Sequence, residues 1–392
     1  MKPPLQGVTV VAIEQAVSGP FATRQLADLG ARVIKIERPD GGDFARAYDT
    51  TVKGMASHFV WLNRSKESLT LDLKRPEATR VLERLLESAD VFLQNLAPGA
   101  IDRLGLGADT LRTRYPRLIV CNLSGYGTSG PYAEKKAYDL IIQSEVGMLA
   151  VTGTEATPCK VGVSIADISA GMYAYSGILT ALLARKDTGE GTVVDVALID
   201  ALGEWMGYAA YYTEYGSTQP PRTGASHATI APYGLYRTCD GSIVLAVHSN
   251  REWTQFCARV LQQPAVAEDP RFQTNVLRVQ HRDALTAAIE GVLTHLPSAE
   301  VRRRLEAANI ANARVNTIRE YLEHPQLTAR ECRREVDSPV GPIRAFVPPV
   351  RMQHVEPVMG AIPALGQHSR SILEELEFDD DTIAAWAATG LI

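Results

Sequence analysis

One stretch of the chain combines residue types that could do covalent chemistry: Val163-Ser164-Ile165-Ala166-Asp167-Ile168-Ser169-Ala170-Gly171-Met172-Tyr173. A carboxylate is a weak nucleophile, but against an activated acyl group it can form a covalent intermediate. Behind Asp167, the residues Met172, Tyr175, Leu179, Leu182 and Leu183 recur at spacings of three and four. That period predicts a helix with one buried face. Asp167 then falls at or just before the helix N-terminus, where backbone N–H groups and the dipole favour its charged form. A plainer role fits the same position: aspartate and serine are ordinary N-caps, so Asp167 or Ser169 could do no more than cap the helix. On these residues alone both readings stand.

Other chemistries lack a carrier. The five cysteines (Cys121, Cys159, Cys239, Cys257, Cys332) are scattered and form no C-x-x-C, which suggests neither a disulfide framework nor a zinc site. The turn after the first apolar run, Glu14-Gln15-Ala16-Val17-Ser18-Gly19-Pro20, lacks G-x-G-x-x-G and so argues against a nicotinamide dinucleotide site. With a net charge of −5 the chain is not a bulk nucleic-acid binder. No apolar run approaches the roughly 18 residues of a membrane span, and no signal peptide opens the chain. A cytoplasmic protein with reduced thiols is expected.

The elements that must position Asp167 read as strand and helix in alternation. Residues 8–13, 31–37, 69–73, 90–95, 118–124 and 192–198 predict strands, and 19–29 and 76–88 predict helices. That alternation predicts an α/β fold with an open, doubly wound parallel sheet over residues 1–215. Ligands of such sheets collect beyond the carboxyl ends of the strands, where Asn95 and the loop from Gly125 to Gly130 would lie. Residues 199–215 predict an aromatic-rich helical stretch carrying Trp205, Tyr208, Tyr211, Tyr212 and Tyr215, a core or subunit interface. A smaller α+β domain follows over 216–314, with a hairpin turning at Asp240-Gly241 and helices over 251–261, 282–294 and 298–308. The last segment, 315–392, returns to strand and loop and ends in helices near 369–376 and 380–388.

Basic residues cluster near the predicted strand ends: Arg38, Lys74, Arg75, Arg103, Lys135 and Lys136. Each alone is an ordinary surface residue. As a set on one sheet edge they could hold the phosphates of a nucleotide-like ligand with side chains, since there is no P-loop.

The whole chain resembles the class III CoA-transferases, relatives of formyl-CoA transferase and of the carnitine and bile-acid CoA-transferases. The carriers are Leu5-x-Gly7, Gly19-Pro20, Leu29-Gly30-Ala31-x-Val33-Ile34-Lys35-Ile36-Glu37, Leu71-Asp72-Leu73-Lys74, Asn95-x-x-Pro98-Gly99, Arg103-Leu104-Gly105, Gly125-Tyr126-Gly127, Asp167-x-x-Ala170-Gly171-Met172 and Leu365-Gly366-Gln367-His368. The resemblance implies that Asp167 is the nucleophile, forming an aspartyl–acyl anhydride and then an aspartyl-CoA thioester. It implies a CoA site at Arg38, Leu71, Asp72, Leu73, Lys74, Asn95, Leu96, Ala97, Arg103, Lys136, Tyr138 and Asp139. Coenzyme A enters as substrate, with no further cofactor and no metal. The implied assembly is an interlocked homodimer, in which the N- and C-terminal segments of each chain together form a Rossmann-like large domain.

Two departures bear on the substrate. Val17 stands where formyl-CoA transferase has a glutamine near the reacting carbonyl, and the stretch from Gly224 to Gly234, with His227, replaces a glycine-rich loop. Both point towards relatives that handle small dicarboxylates, with succinyl-CoA as donor and itaconate, mesaconate, citramalate or malate as acceptor. Val17 and His227 are the expected acyl-pocket residues, and Arg46 and Arg222 are further candidates for a distal carboxylate. An α-methylacyl-CoA racemase of the same fold would need a histidine where Lys136-Ala137-Tyr138-Asp139 has tyrosine, a poor base near neutral pH. A non-catalytic acyl-CoA-binding homologue would not need Asp167 and Gly171-Met172.

Overall fold

The computed structural model describes residues 2–392. It divides into two compact units, one made of residues up to Val146 with Gly162–Met206 and Gln326–Ile392, the other of Gly147–Val161 and Gly207–Pro325. The expected boundary at 215 therefore falls at Met206, and the segment 147–161 belongs with the second unit.

The first unit is built on six strands: β1 (Thr9–Ile13), β2 (Arg32–Glu37), β3 (Lys66–Thr70), β4 (Val91–Gln94), β5 (Ile119–Ser124) and β6 (Val193–Ala197). All pair in parallel, in the order β3-β2-β1-β4-β5-β6. This is the order of the dinucleotide-binding doubly wound fold, and its direction reverses between β1 and β4. The strands read as near-continuous apolar runs because both faces are covered. On one face lies helix α2 (Pro76–Ser88), which starts with proline at its first turn and buries Ala78, Val81, Leu82, Leu85 and Leu86. Ile372, Leu373, Ile383 and Trp386 of the C-terminal helices Ser369–Glu375 and Asp380–Ala388 pack into the same core.

Two elements differ from expectation. The third strand covers 66–70 rather than 69–73. It begins early because the Lys66 ammonium is neutralised inside the unit, 2.7 Å from Glu14 Oε1. Polar residues 66–68 hid that start, since periodicity sees only apolar positions. The second case is the long helix behind Asp167. Its expected apolar face is not the buried one: Met172, Tyr173 and Leu183 are exposed, whereas Ala166, Ala170, Ala174, Ile178 and Ala181 are buried. Small residues are selected because this helix runs very close to helix α1 (Ser18–Asp28). A Cβ on Gly171 would lie 2.7 Å from the Ser18 carbonyl oxygen and 3.1 Å from Phe21 Cβ.

The second unit carries an antiparallel sheet of β7 (Tyr233–Thr238), β8 (Gly241–Ala246) and β9 (Ala311–Ala313). Helices Arg282–Leu293 and Ser298–Ala307 close a core around Trp253, Phe256, Phe272, Leu285, Ile289 and Leu305. The expected single aromatic helix is two, Leu198–Trp205 and Gly207–Tyr215, broken at Met206. No helix of the described residues is long and apolar enough to cross a membrane.

Candidate active site

Helix α3 (Asp139–Glu145) and helix α4 (Ile165–Thr188) bring two carboxylates together. Asp139, the first residue of α3, does the capping work for α4. Its Oδ1 accepts the Ala166 N–H at 2.7 Å and, more weakly, that of Asp167 at 3.5 Å. Its Oδ2 accepts from Gln143 Nε2 at 2.7 Å. The N-cap residue itself, Ser164, makes no side-chain cap bond. Ser169 lies inside the helix, its hydroxyl donating to the Ala166 carbonyl at 2.8 Å. Neither Asp167 nor Ser169 is the cap, and the plainer reading of this stretch fails.

Asp167 is the third residue of α4, and among the described residues no donor reaches its carboxylate. Burial pushes its pKa up to about 7, and the neighbouring Asp139 carboxylate pushes in the same direction. The helix dipole was expected to favour the charged form, but burial and the like charge outweigh it. The terminal N–H groups of α4 are also already engaged. Ile165 N–H donates to Val163 O at 2.8 Å and Ile168 N–H to Ser164 O at 2.9 Å. They do not form the vacant oxyanion cradle that a bare helix terminus would offer.

A carboxyl half-protonated near pH 7 gives a direct expectation for rate. Only the ionised form attacks, so kcat/KM should rise about tenfold between pH 6 and pH 8 and level off above it. A profile that is flat from pH 5 to 8 would mean that Asp167 titrates at an ordinary carboxylate value, or that another group attacks.

The candidate CoA-binding residues follow the carboxyl ends of parallel strands, so the fold collects them on one edge of the sheet. Arg38 follows β2, is half-exposed, and donates to the Gly42 carbonyl at 3.2 Å. Residues 71–74 follow β3. Leu71 is buried in the core and offers no free side chain, Leu73 packs against that core, and Asp72 Oδ1 accepts the Lys74 N–H at 3.1 Å. Asn95, Leu96 and Ala97 follow β4, and the Leu96 N–H donates to Gln94 Oε1 at 2.8 Å. Arg103 ends the short helix Ala100–Arg103 and is exposed, as is Lys136. Tyr138 precedes α3 and is 72% exposed. Asn95 is spoken for: its side chain makes two hydrogen bonds of 2.9 Å with the Gln15 backbone and so ties β4 to β1.

The acyl-pocket candidates separate. Val17 is buried at the start of α1, in the first unit. His227 belongs to the second unit, where its ring stacks on Tyr233 at 5.2 Å. The two arginines suggested for a distal carboxylate are occupied. Arg46 forms a two-pronged bond to Glu37 at 2.8 and 2.7 Å, and Arg222 donates to the Thr154 and Glu155 carbonyls.

Two features had escaped notice. Tyr48 lies in the field of Asp167, since burial first, then the Asp43 and Asp167 carboxylates, raise its pKa. It meets His58 edge to face, and Phe21 meets Trp61 in the same way. These aromatics share no period in the sequence. Beneath the turn after β1 lies a charge network: Lys35 binds Asp43 at 2.7 Å, Lys66 binds Glu14 at 2.7 Å, and Arg46 binds Glu37. Lysine in the middle of the apolar run 33–37 was the available signal for it.

A family model described as CoA-transferase family III matches residues 5–369. Succinyl-CoA:glutarate CoA-transferase of Mus musculus is 32% identical over 99% of this chain and 90% of its own length. Succinyl-CoA–D-citramalate CoA-transferase of Chloroflexus aurantiacus is 33% identical over 95% of this chain and 94% of its own. Among solved structures, a CAIB/BAIF family protein from Brucella suis is similar at a TM-score of 0.84 and 32% identity, over 96% of this chain and all of that one.

Proposed function

The chain belongs to CoA-transferase family III, and from that premise we propose that it moves CoA from succinyl-CoA to a small dicarboxylate through the Asp167 carboxylate. One observation carries this reading: Asp167 is held on the first turn of α4 without a cap bond or an ion pair, next to a second carboxylate. A group so placed is costly to ionise and is freed of that cost when it becomes neutral in an acyl bond.

The steps balance without oxidant or reductant. The Asp167 carboxylate oxygen attacks the thioester carbonyl, the C–S bond breaks, and CoA leaves as thiolate from an aspartyl–succinyl anhydride. The thiolate then attacks the aspartyl carbonyl and expels succinate, leaving an aspartyl-CoA thioester. The acceptor carboxylate attacks that thioester and again releases the thiolate. Attack on the acceptor's acyl carbon forms the new acyl-CoA and restores the Asp167 carboxylate.

The donor and acceptor class rests on the names of the relatives, which act on glutarate and D-citramalate with succinyl-CoA. Itaconate, mesaconate and malate are acceptors of the same chemistry. His227 is the proposed partner of the distal carboxylate. Its Nδ1 accepts the Thr229 N–H at 3.2 Å, which leaves the proton on Nε2. Burial, then the charges of His248 and Arg282, lower its pKa, so it serves as a neutral donor. A hydrogen bond to a charged group contributes about 1.5–3 kcal/mol. Succinyl-CoA should therefore exceed butyryl-CoA by roughly 10- to 100-fold in kcat/KM, and His227→Ala should remove most of that preference. Equal use of the two thioesters would sink the dicarboxylate assignment.

For the assembly we propose an interlocked homodimer. Trp205, Tyr208, Tyr211, Tyr212 and Tyr215 are all exposed on the single chain, an aromatic surface of the kind that partner subunits cover. Light scattering should give twice the chain mass at every concentration at which the protein stays folded. A folded monomer in dilute solution would contradict it.

A further inference from the structure

The crevice at the switch point between β1 and β4 holds a polar atom that the steps above leave unused. Gln15 Oε1 is buried and has no hydrogen-bond partner among the described residues. Such a group costs stability unless something bound supplies the missing donor. The backbone that carries it is held from both sides. Asn95 Oδ1 accepts the Gln15 N–H, and Asn95 Nδ2 donates to the Gln15 carbonyl, both at 2.9 Å. The next residue, Ala16, is left-handed, with φ of 62°, an unusual conformation for alanine. Its N–H donates to Asp43 Oδ1 at 2.8 Å, and Asp43 Oδ2 is bound to the wholly buried Lys35. A strained turn fixed by a buried ion pair thus presents one glutamine to the crevice.

We infer that the Gln15 side chain is a ligand-binding group whose Oε1 accepts the pantetheine amide N–H nearest the thioester sulfur. This rests on the acyl-CoA reading above. The choice follows from the chemistry of the candidates. An acceptor atom needs a donor; neither the thioester nor an ionised carboxylate has one, whereas the pantetheine arm carries an amide two methylenes from the sulfur. Its place agrees with the position of the nucleophile. Gly171 touches Ser18, three residues beyond Gln15, and Asp167 lies one helical turn, about 6 Å, before Gly171. Gln15 is then a positioning residue that sets the register of the thioester against Asp167.

The test compares wild type with Gln15→Met, which keeps the length and drops the amide, on three thioesters. These are succinyl-CoA, succinyl-N-acetylcysteamine, which retains that amide, and the succinyl thioester of propanethiol, which has none. The variant should lose roughly 10- to 100-fold in kcat/KM on the first two and less than about twofold on the third. Its Tm should stay level or rise, because no bond within the protein is lost. Undiminished activity on succinyl-CoA, an equal loss on the amide-free thioester, or a lowered Tm with uniform loss would overturn the inference while leaving the transferase reading intact. A wild-type protein that turns over none of the three would overturn both.

Discussion

Asp167→Ala is expected to lose CoA transfer by a factor of about 10⁴ or more while remaining folded. Covalent catalysis through a carboxylate has no substitute route at this site. The structure also predicts a direction for stability. A carboxyl whose folded pKa is raised, here to about 7, holds its proton more tightly in the folded than in the unfolded state. Its stabilising contribution is complete below about pH 4, the unfolded value, and is lost as pH rises through about 7. Near pH 8 the ionised side chain is therefore a liability, and Asp167→Asn, which keeps the shape without the charge, should stabilise by about 1–3 kcal/mol. Denaturant melts of wild type and Asn variant at pH 5 and pH 8 check this, and the gain should appear only at the higher pH. Loss of stability with retained turnover would return Asp167 to a structural role.

The second large effect lies beneath the turn after β1. Glu14 Oε1 binds Lys66 at 2.7 Å and faces Lys35 at 3.5 Å, while its Oε2 accepts the Thr23 hydroxyl at 2.7 Å. All three charged side chains are wholly buried. Burial, with the charge of Lys35, already pulls Lys66 down to about 8 despite Glu14. Glu14→Ala would leave two buried lysines with only Asp43 to face them. Breaking a buried pair from one side costs about 3–5 kcal/mol, far more than the intact pair contributes over an apolar replacement. The urea midpoint should fall accordingly. Glu14→Ala combined with Lys66→Met, which removes the stranded charge as well, should recover a good part of the loss. A single variant costing less than about 1 kcal/mol would mean that water or a proton already compensates these lysines.

What could be read from the residues, and what could not, divides on physical grounds. The first, second, fourth, fifth and sixth strands are continuous apolar runs, and α2 has a proline at its start and an unbroken period, so local signals sufficed. The strand order needed pairing information that no local pattern carries. Periodicity misjudged α4 because it weighs large apolar residues, whereas the close approach of α1 at Gly171 selects alanines. It misplaced β3 because Lys66, Glu67 and Ser68 look like loop until Glu14 is seen beside Lys66. Asp167 was legible as a candidate, but the residue that frees it from capping, Asp139, lies 28 positions upstream and meets it only through the fold. Gln15 has no local signature at all. It is one polar residue in a turn, and its meaning depends on Asn95, Asp43 and Lys35 holding the backbone around it.

The most direct measurement is to quench the protein with hydroxylamine during turnover of succinyl-CoA and map the modified residue by peptide mass spectrometry. Hydroxylamine attacks an activated acyl carbon, displaces CoA or succinate, and leaves a hydroxamate on the side chain that carried the acyl group. The account predicts a hydroxamate at Asp167, only when succinyl-CoA is present, and none in Asp167→Asn. A label on any other side chain, or no label on a protein that is turning over, would contradict it.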